Sequence, residues 1–406
     1  MKIVNNFKKY QKKILSYSNR KLFGPLLRWS FVYLKLDQRY RFLNTNSASI
    51  GHLCTDVDCF LREWKLKNFQ FRGVLLANRT TVANPVLVKI WKTTPGLVVV
   101  ESPIACYFFD YLRIFKESGY DCSKYCALDS QAAEVYKIRN SKDIDDVIIS
   151  WPPDLLQRAH KLFKEVFPTL DVGRCVALHS RDSTFDKRIK NQNYNTQGYR
   201  NSDISSYSLI LAYLNERGCV VIRIGEYSKN PLVETVSYLQ IPEIEVFDRN
   251  LLELFIVSRC KVFLGSASGA SDMASIWGRP VFRLNTLPYA LLRPHYSAGM
   301  GIPKLLYSKD KILNAKDIFV KGYHWFRDDS QYLKHGVEVR DNDASDCIED
   351  FAEFFEAFVL GNKILQYTLT NSPQQFRYKK LCPSDCYDLY ASSLVPRNFF
   401  SKYKIV

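Results

Sequence analysis

The sequence predicts an α/β protein: two domains on doubly wound, mainly parallel sheets, a C-terminal helical extension, and a basic amphipathic N-terminal arm. Three observations predict it. From Cys175 to Asn285 short apolar runs rich in Val, Ile and Phe alternate with helical patterns. Residues 44–168 show the same alternation less regularly. And 406 residues exceed what one hydrophobic core usually holds. Strands joined through helices run parallel, with both sheet faces covered.

Residues 1–43 form the arm. They hold eleven Lys or Arg against one acid, Asp37, and so carry ten of the sixteen net positive charges. Ile3, Phe7, Tyr10 and Ile14 recur at helical spacing among Lys8, Lys9, Lys12 and Lys13. That pattern fits an anionic membrane surface, met by residues 1–36. LFGPLLRWSFVYLKL carries Pro25 and Arg28 and falls short of the roughly 20 apolar residues of a span. It is expected to lie at the interface or to pack. No small-residue cleavage site follows. With the charge concentrated in the arm, a basic nucleic-acid-binding face is not expected.

Residues 44–168 are expected to form the first α/β domain: RFLNTNSASIGHL a strand and turn, DVDCFLREWKLKN a helix, FRGVLLAN a strand, NPVLVKIWKT a helix, LVVVES a strand. A helix from Pro153 to Phe167, with Pro in its first turn, closes it. Residues 169–330 form the second. CVALHS reads as a strand, and DISSYSLILAYLNERG as a helix with Asp203 as cap and Gly218 as stop. CVVIRIG is a strand, LVETVSYLQI a helix, EIEVFD a strand, NLLELFIVSRC a helix, KVFLGS a strand, ASDMASIWG a helix and PVFRLN a strand. This is a Rossmann-like domain. Residues 331–406 hold a helix, DCIEDFAEFFEAFVL, capped by Ser345 and stopped by Gly361, and then a tail. The eleven cysteines show no disulfide or zinc framework and are expected to be reduced and buried.

In an open parallel sheet, ligands bind outside the carboxyl ends of the strands where strand order reverses. Two strand ends carry the chemistry. In VALHSRDSTFD an apolar run breaks into His179, Arg181, Asp182, Ser183 and Asp186. Residues two apart on a strand share a face, so His179 and Arg181 are expected to aim two donors at one anion. An Arg fork bonds two phosphate oxygens at once. In VFLGSASGASDMASIWGRPV a strand runs through Gly265, Ser266 and Ser268 into a helix starting near Gly269, whose N-terminus favours anions. The bland alternatives are a surface pair of Arg181 with Asp182 or Asp186, and a tight turn that binds nothing. In GYRNSDISSY, Tyr199, Arg200 and Asn201 are expected to line the same pocket. Neither the dinucleotide fingerprint nor a phosphate loop with its Lys is present, which argues against a dinucleotide oxidoreductase. In IGHLCTDVD, His52 and Asp56 stand one helical turn apart as candidate general bases.

IGHLCTDVDCFLREW, ANPVLVKIW, HSRDSTFD, GYRNSDISSY and FLGSASGASDMASIWGRPV, in this order over about residues 42–360, resemble a family of bacterial glycosyltransferases associated with surface-polysaccharide synthesis. HSRDSTFD is also similar to the H-x-R donor motif of fucosyltransferases, whose Arg holds the donor diphosphate. Asp182 stands where that motif usually has a second Arg, so a GDP-fucose donor is not implied. The Gly265 segment is similar to the donor-side turn of heptosyltransferase-like GT-B enzymes. The resemblance implies a GT-B-like architecture and transfer from a nucleotide-sugar donor to a glycan or lipid-linked acceptor. No cofactor and no metal are expected, since Arg181, His179 and the amides after Gly265 could meet the leaving diphosphate. No nucleic-acid partner is expected, and the reduced cysteines with the basic arm point to the cytoplasmic face of a membrane. Two alternatives remain open: a non-catalytic sugar- or nucleotide-binding protein, and a metal-dependent GT-A-type transferase using Asp56 and Asp58.

Overall fold

The computed structural model describes residues 17–126, 132–139, 147–181, 197–225, 238–294 and 298–406. The expected helix over residues 3–14, and most of LVETVSYLQI, lie outside them. The chain forms two compact units, one of residues 1–128 with 141–153, the other of 129–140 with 154–406.

The first unit is built on four parallel strands: β1 (Tyr40–Asn44), β2 (Arg72–Leu76), β3 (Leu97–Val100) and β4 (Gly119–Asp121). Their order is β3-β2-β1-β4, so strand order reverses beside β1. After β1 the chain enters helix Ile50–Leu66, which buries Leu53, Val57, Phe60 and Leu61. Helix Pro85–Thr93 starts on Pro85 because Asn84 caps it, accepting from the N–H groups of Val86 and Leu87 at 3.0 and 2.9 Å. Trp91 ties it to the longer helix by donating to the Leu53 carbonyl at 3.1 Å. The N-terminal helix, Tyr17–Tyr33, docks Phe31 into a cluster with Phe42, Val74 and Leu112.

The second unit is built on six parallel strands: β5 (Cys175–His179), β6 (Val220–Arg223), β7 (Leu239–Gln240), β8 (Val262–Gly265), β9 (Val281–Thr286) and β10 (Gly299–Pro303). Their order is β10-β9-β8-β5-β6-β7. The chain builds outward from β5 through β6 and β7, then returns to the other side of β5 with β8. The switch point therefore falls between β5 and β8, where His179 pairs with Gly265. Helix Ser208–Glu216 covers one face through Ile210, Leu211 and Leu214, fully buried side chains that contribute about 1.5–3 kcal/mol each. Gly218, at φ 66°, provides its left-handed exit. A small antiparallel sheet follows, of β11 (Leu305–Ser308), β12 (Lys311–Ile312) and β13 (Val337–Arg340).

Several elements differ from the sequence expectation. EIEVFD is not a strand: helix Val246–Arg259 begins inside it, because the apolar period of Leu251, Leu252, Phe255 and Ile256 extends back to that point. The third strand of the order is instead the two-residue β7, and β4 and β10 are further strands too short or too Gly-rich to show period-2 patterning. The helix expected to close the first domain, Pro153–Val166, packs in the second unit, with Phe163 5.6 Å from Phe255. Asp343 rather than Ser345 makes the cap, through a reciprocal capping box with Asp346 ahead of helix Ile348–Phe354. The C-terminal tail is not a tail. Helices Lys363–Thr370, Pro373–Leu381 and Arg397–Lys402 bury Leu369, Tyr378, Phe399 and Phe400. Acids outside these helices hold them. Asp350 accepts from the N–H groups of Asn398 and Phe399 at 3.0 and 2.8 Å, and Asp388 from Tyr378 at 3.2 Å.

Candidate functional site

The carboxyl end of β5 is fixed by backbone contacts before any ligand is considered. A Cβ on Gly265 would lie 2.2 Å from the His179 carbonyl oxygen, so only glycine lets β8 approach β5 this closely. The Ser266 N–H then donates to that same carbonyl at 3.0 Å. On the other flank Gly225, at φ 79°, leaves room for the His179 ring: a Cβ there would stand 2.7 Å from Cδ2. The imidazole meets the Ser268 hydroxyl, with Nδ1 and Oγ 3.1 Å apart. Either atom of this pair can be the donor, so the Ser268 hydroxyl steadies the ring in either tautomer.

β5 stops at His179, so the shared strand face does not extend to Arg181. The turn positions Arg181 instead. Its N–H donates to Ser266 Oγ at 3.0 Å, its carbonyl accepts from the Ser202 N–H at 2.8 Å, and Ser180 Oγ donates to the Ser202 carbonyl at 2.7 Å. Arg181 is buried, and Ser266 and Ser202 brace its backbone. Arg200 reaches the same loop, donating from Nη2 to the Ala267 carbonyl at 2.9 Å. Helix Gly269–Ile276 follows with Ser268 as its cap residue, so Gly269 is the first residue of that helix. Buried Arg283 lies beneath it, donating to Ser271 Oγ at 3.1 Å and Asp272 Oδ1 at 3.0 Å.

Not every expected site residue is a lining residue. Tyr199 is in the core, 5.6 Å from the Tyr332 ring, with its N–H held by Asp329 at 2.7 Å. Asn201 offers its carbonyl to Lys304 Nζ at 2.5 Å. Asp182 and Ser183 lie outside the described residues. Sequence reasoning missed Gly225, Glu253, Arg249 and Arg327. Glu253 accepts from the Gly225 N–H at 3.1 Å and from Arg249 at 3.0 Å, and burial pushes its carboxyl up. Burial also pushes the Tyr199 phenol up, while the guanidiniums of Arg200, Arg327 and Arg181 pull it down. Three guanidiniums thus act on the Tyr199 phenol. The glycine directly after CVVIRI was a legible signal for Gly225; Arg327 lies 146 positions from Arg181 and gave none.

The first unit offers a separate constellation at the switch point of its own sheet. His52 Nδ1 lies 3.0 Å from Asp56 Oδ2, and Thr45, just past β1, donates to that same oxygen at 2.8 Å. Asp56 is buried, whereas 40% of the His52 side chain is exposed. The carboxylate therefore orients the imidazole, and the imidazole is the group that can meet solute. Asp58 points elsewhere in the helix and pairs with Arg62 at 2.8 Å, both fully desolvated. Residues two apart on a helix lie on different faces, so Asp56 and Asp58 cannot share one metal ion. Among the described residues no cluster of three His, Cys, Asp or Glu could hold one.

No family model matches the sequence, and no curated protein matches it. Solved structures do. The iron-containing dodecameric glycosyltransferase TibC of enterotoxigenic E. coli is similar over 62% of this chain at 13% identity, with a TM-score of 0.37; the chain spans 59% of the length of TibC. E. coli heptosyltransferase WaaC with an ADP-fluoroheptose matches at 11% identity and a TM-score of 0.32, over 60% of this chain and 88% of that one. A family 9 glycosyl transferase from Veillonella parvula matches at 9% identity and a TM-score of 0.40, over 61% and 80%.

Proposed function

We propose that the protein is a nucleotide-sugar-dependent glycosyltransferase of GT-B-like plan, with the second unit holding the donor and the first activating the acceptor. One observation carries the donor assignment. His179 and Gly265 pair at the switch point of a six-stranded parallel sheet, with Arg181, Arg200 and the start of helix Gly269–Ile276 at the same strand ends. Fixed cations and helix N–H groups are what a departing diphosphate requires, since its negative charge grows as the sugar leaves. The His179 imidazole would meet a terminal phosphate oxygen. His52, oriented by Asp56, takes the role of general base that removes the acceptor hydroxyl proton.

The acceptor is inferred to be a lipid-linked or surface glycan, with the protein held at the inner face of a membrane. On helix Tyr17–Tyr33, Leu26, Trp29 and Tyr33 form a stripe 59–70% exposed, on the other side from Phe31 and within the basic arm of the sequence. Aromatic and aliphatic side chains beside lysines suit a headgroup boundary. Among the described residues no helix is long and apolar enough to cross a membrane.

The test is a thermal-shift screen of wild type and Arg181→Ala against UDP, GDP, CDP, CMP, ADP and dTDP, with EDTA present. A saturating ligand stabilises by RT ln(1 + [L]/Kd). One nucleotide should raise the wild-type melting point. Arg181→Ala should bind it roughly 10- to 100-fold more weakly, the loss expected from charge-assisted hydrogen bonds of about 1.5–3 kcal/mol. No shift with any nucleotide would refute the donor site. Binding without turnover across a panel of nucleotide sugars would favour the non-catalytic alternative.

A further inference from the structure

We infer that the C-terminal helical pair Lys363–Thr370 and Pro373–Leu381 is a second lipid-facing surface, docking on an anionic bilayer. The pair is firmly anchored on its inner side. Leu369 and Tyr378 are buried, Gln366 Nε2 donates to the Ala357 carbonyl at 2.5 Å, and Gln375 Oε1 accepts from the Val395 N–H at 2.9 Å. Its outer side does not look like an ordinary solvated surface. Ile364 is 82% exposed, Tyr367 73%, Phe376 58% and the preceding Leu360 52%.

Single exposed apolar residues are common, but here four large ones fall within one 17-residue segment, an exposure that fold stability does not explain. Ile364 and Tyr367, three apart on one helix, share a face. The charge accompanying them has one sign. From Gly361 to Ser384 there is no Asp or Glu, while Lys363, Arg377, Lys379 and Lys380 are present.

That combination identifies the occupant. Aliphatic and aromatic side chains enter the headgroup region, and neighbouring Lys and Arg meet anionic lipid phosphates with their stems along the apolar boundary. A second copy of the chain fits poorly. A two-fold contact would set these cations against themselves, with no acid in the segment to answer them. The inference does not depend on sugar transfer, and it differs from the membrane role of the N-terminal helix because it rests on other residues in the other compact unit.

The experiment uses the full chain carrying Ile364→Cys, labelled with a polarity-sensitive fluorophore; the ten cysteines with described side chains are buried. Its emission should shift to the blue with phosphatidylcholine vesicles containing phosphatidylglycerol, and not with phosphatidylcholine alone. The shift should persist when Trp29→Ser and Tyr33→Ser disable the N-terminal stripe. In flotation in that background, K363E/R377E/K380E should lower the bound fraction's partition coefficient at least about tenfold, at an unchanged melting point and unchanged nucleotide binding. An emission that ignores vesicles overturns the inference. An equal shift with neutral lipid overturns the anionic assignment. Concentration-dependent association without lipid, abolished by Ile364→Glu, would hand the surface to a second copy. Failure of the nucleotide screen would leave all of these readouts unaffected.

Discussion

The His52 constellation and the His179 constellation sit at equivalent places in their own sheets, yet they are built in different ways. In the first unit, the pairing of His52 with Asp56 is one helical turn, and Thr45 completes it from the end of the adjacent strand. In the second, Gly225, Ser202, Gly265, Ser266 and Ser268 reach His179 and Arg181 from three other segments, largely through main-chain atoms. A local site tolerates its surroundings and fails through chemistry. An assembled site depends on close backbone approach and fails through geometry.

The largest expected effect tests the local site. His52→Ala should lower kcat by roughly 10²- to 10⁴-fold with the donor Kd unchanged, the usual range for loss of a general base. Asp56→Asn should lose less and shift the pH–rate profile, because it orients the base. An unaltered kcat in His52→Ala would end the base assignment and leave the donor site standing.

Next comes the assembled site. Gly265→Ala places a methyl 2.2 Å from the His179 carbonyl oxygen, which must separate β5 from β8. We expect a loss of about 3 kcal/mol of stability, the upper end for overpacking, together with loss of nucleotide binding. Urea denaturation checks the first and the thermal-shift screen the second. A stable variant that still bound nucleotide would show that the approach of the two strands does not build the site.

Similar in size but different in kind is the acid response of the first unit. Burial pushes the Glu63 carboxyl up, but hydrogen bonds from Lys124, Lys67, Tyr125 and Tyr120 overcome this and hold it near 2, against an ordinary 4.5. The folded pKa is depressed, so this stabilisation is complete above pH 4.5 and disappears as pH falls towards 2. It amounts to about 3 kcal/mol. Glu63→Gln should be that much less stable at neutral pH, with the gap to wild type closing at acid pH in urea midpoints. A constant gap would mean that packing, not charge, carries the effect.

The smallest effect separates orientation from charge at the donor site. Ser268→Ala removes the hydroxyl on His179 Nδ1 and should weaken nucleotide binding about fivefold, worth about 1 kcal/mol. Isothermal titration at two pH values would show whether proton uptake by the imidazole is linked to binding and changes with it.

Legibility followed the same division. The spacing of His52 and Asp56 was readable because a helix converts four positions into contact, and CVALHS, KVFLGS and ASDMASIWG declared their own elements through local periodicity. EIEVFD misled because four alternating residues satisfy either period, and the helix beyond them decided the matter. Tyr199 was expected in the pocket and is in the core, because its neighbours Tyr332 and Asp329 lie more than 120 positions away. The C-terminal helices showed no clear stripe, since carboxylates outside them, Asp350 and Asp388, hold them as well as apolar faces do.

By itself the sequence determined the strand–helix alternation, the glycine-rich turn after Phe263 and Leu264, the basic arm and the dyad of His52 with Asp56, because propensity, patterning and one-turn spacing act over a few residues. Only the tertiary structure decided that β8 returns beside β5, that Ser266 and Ser202 brace Arg181, and that Arg327 and Arg200 both act on the Tyr199 phenol. Those contacts depend on burial and backbone approach between segments far apart in the chain, which no local pattern records.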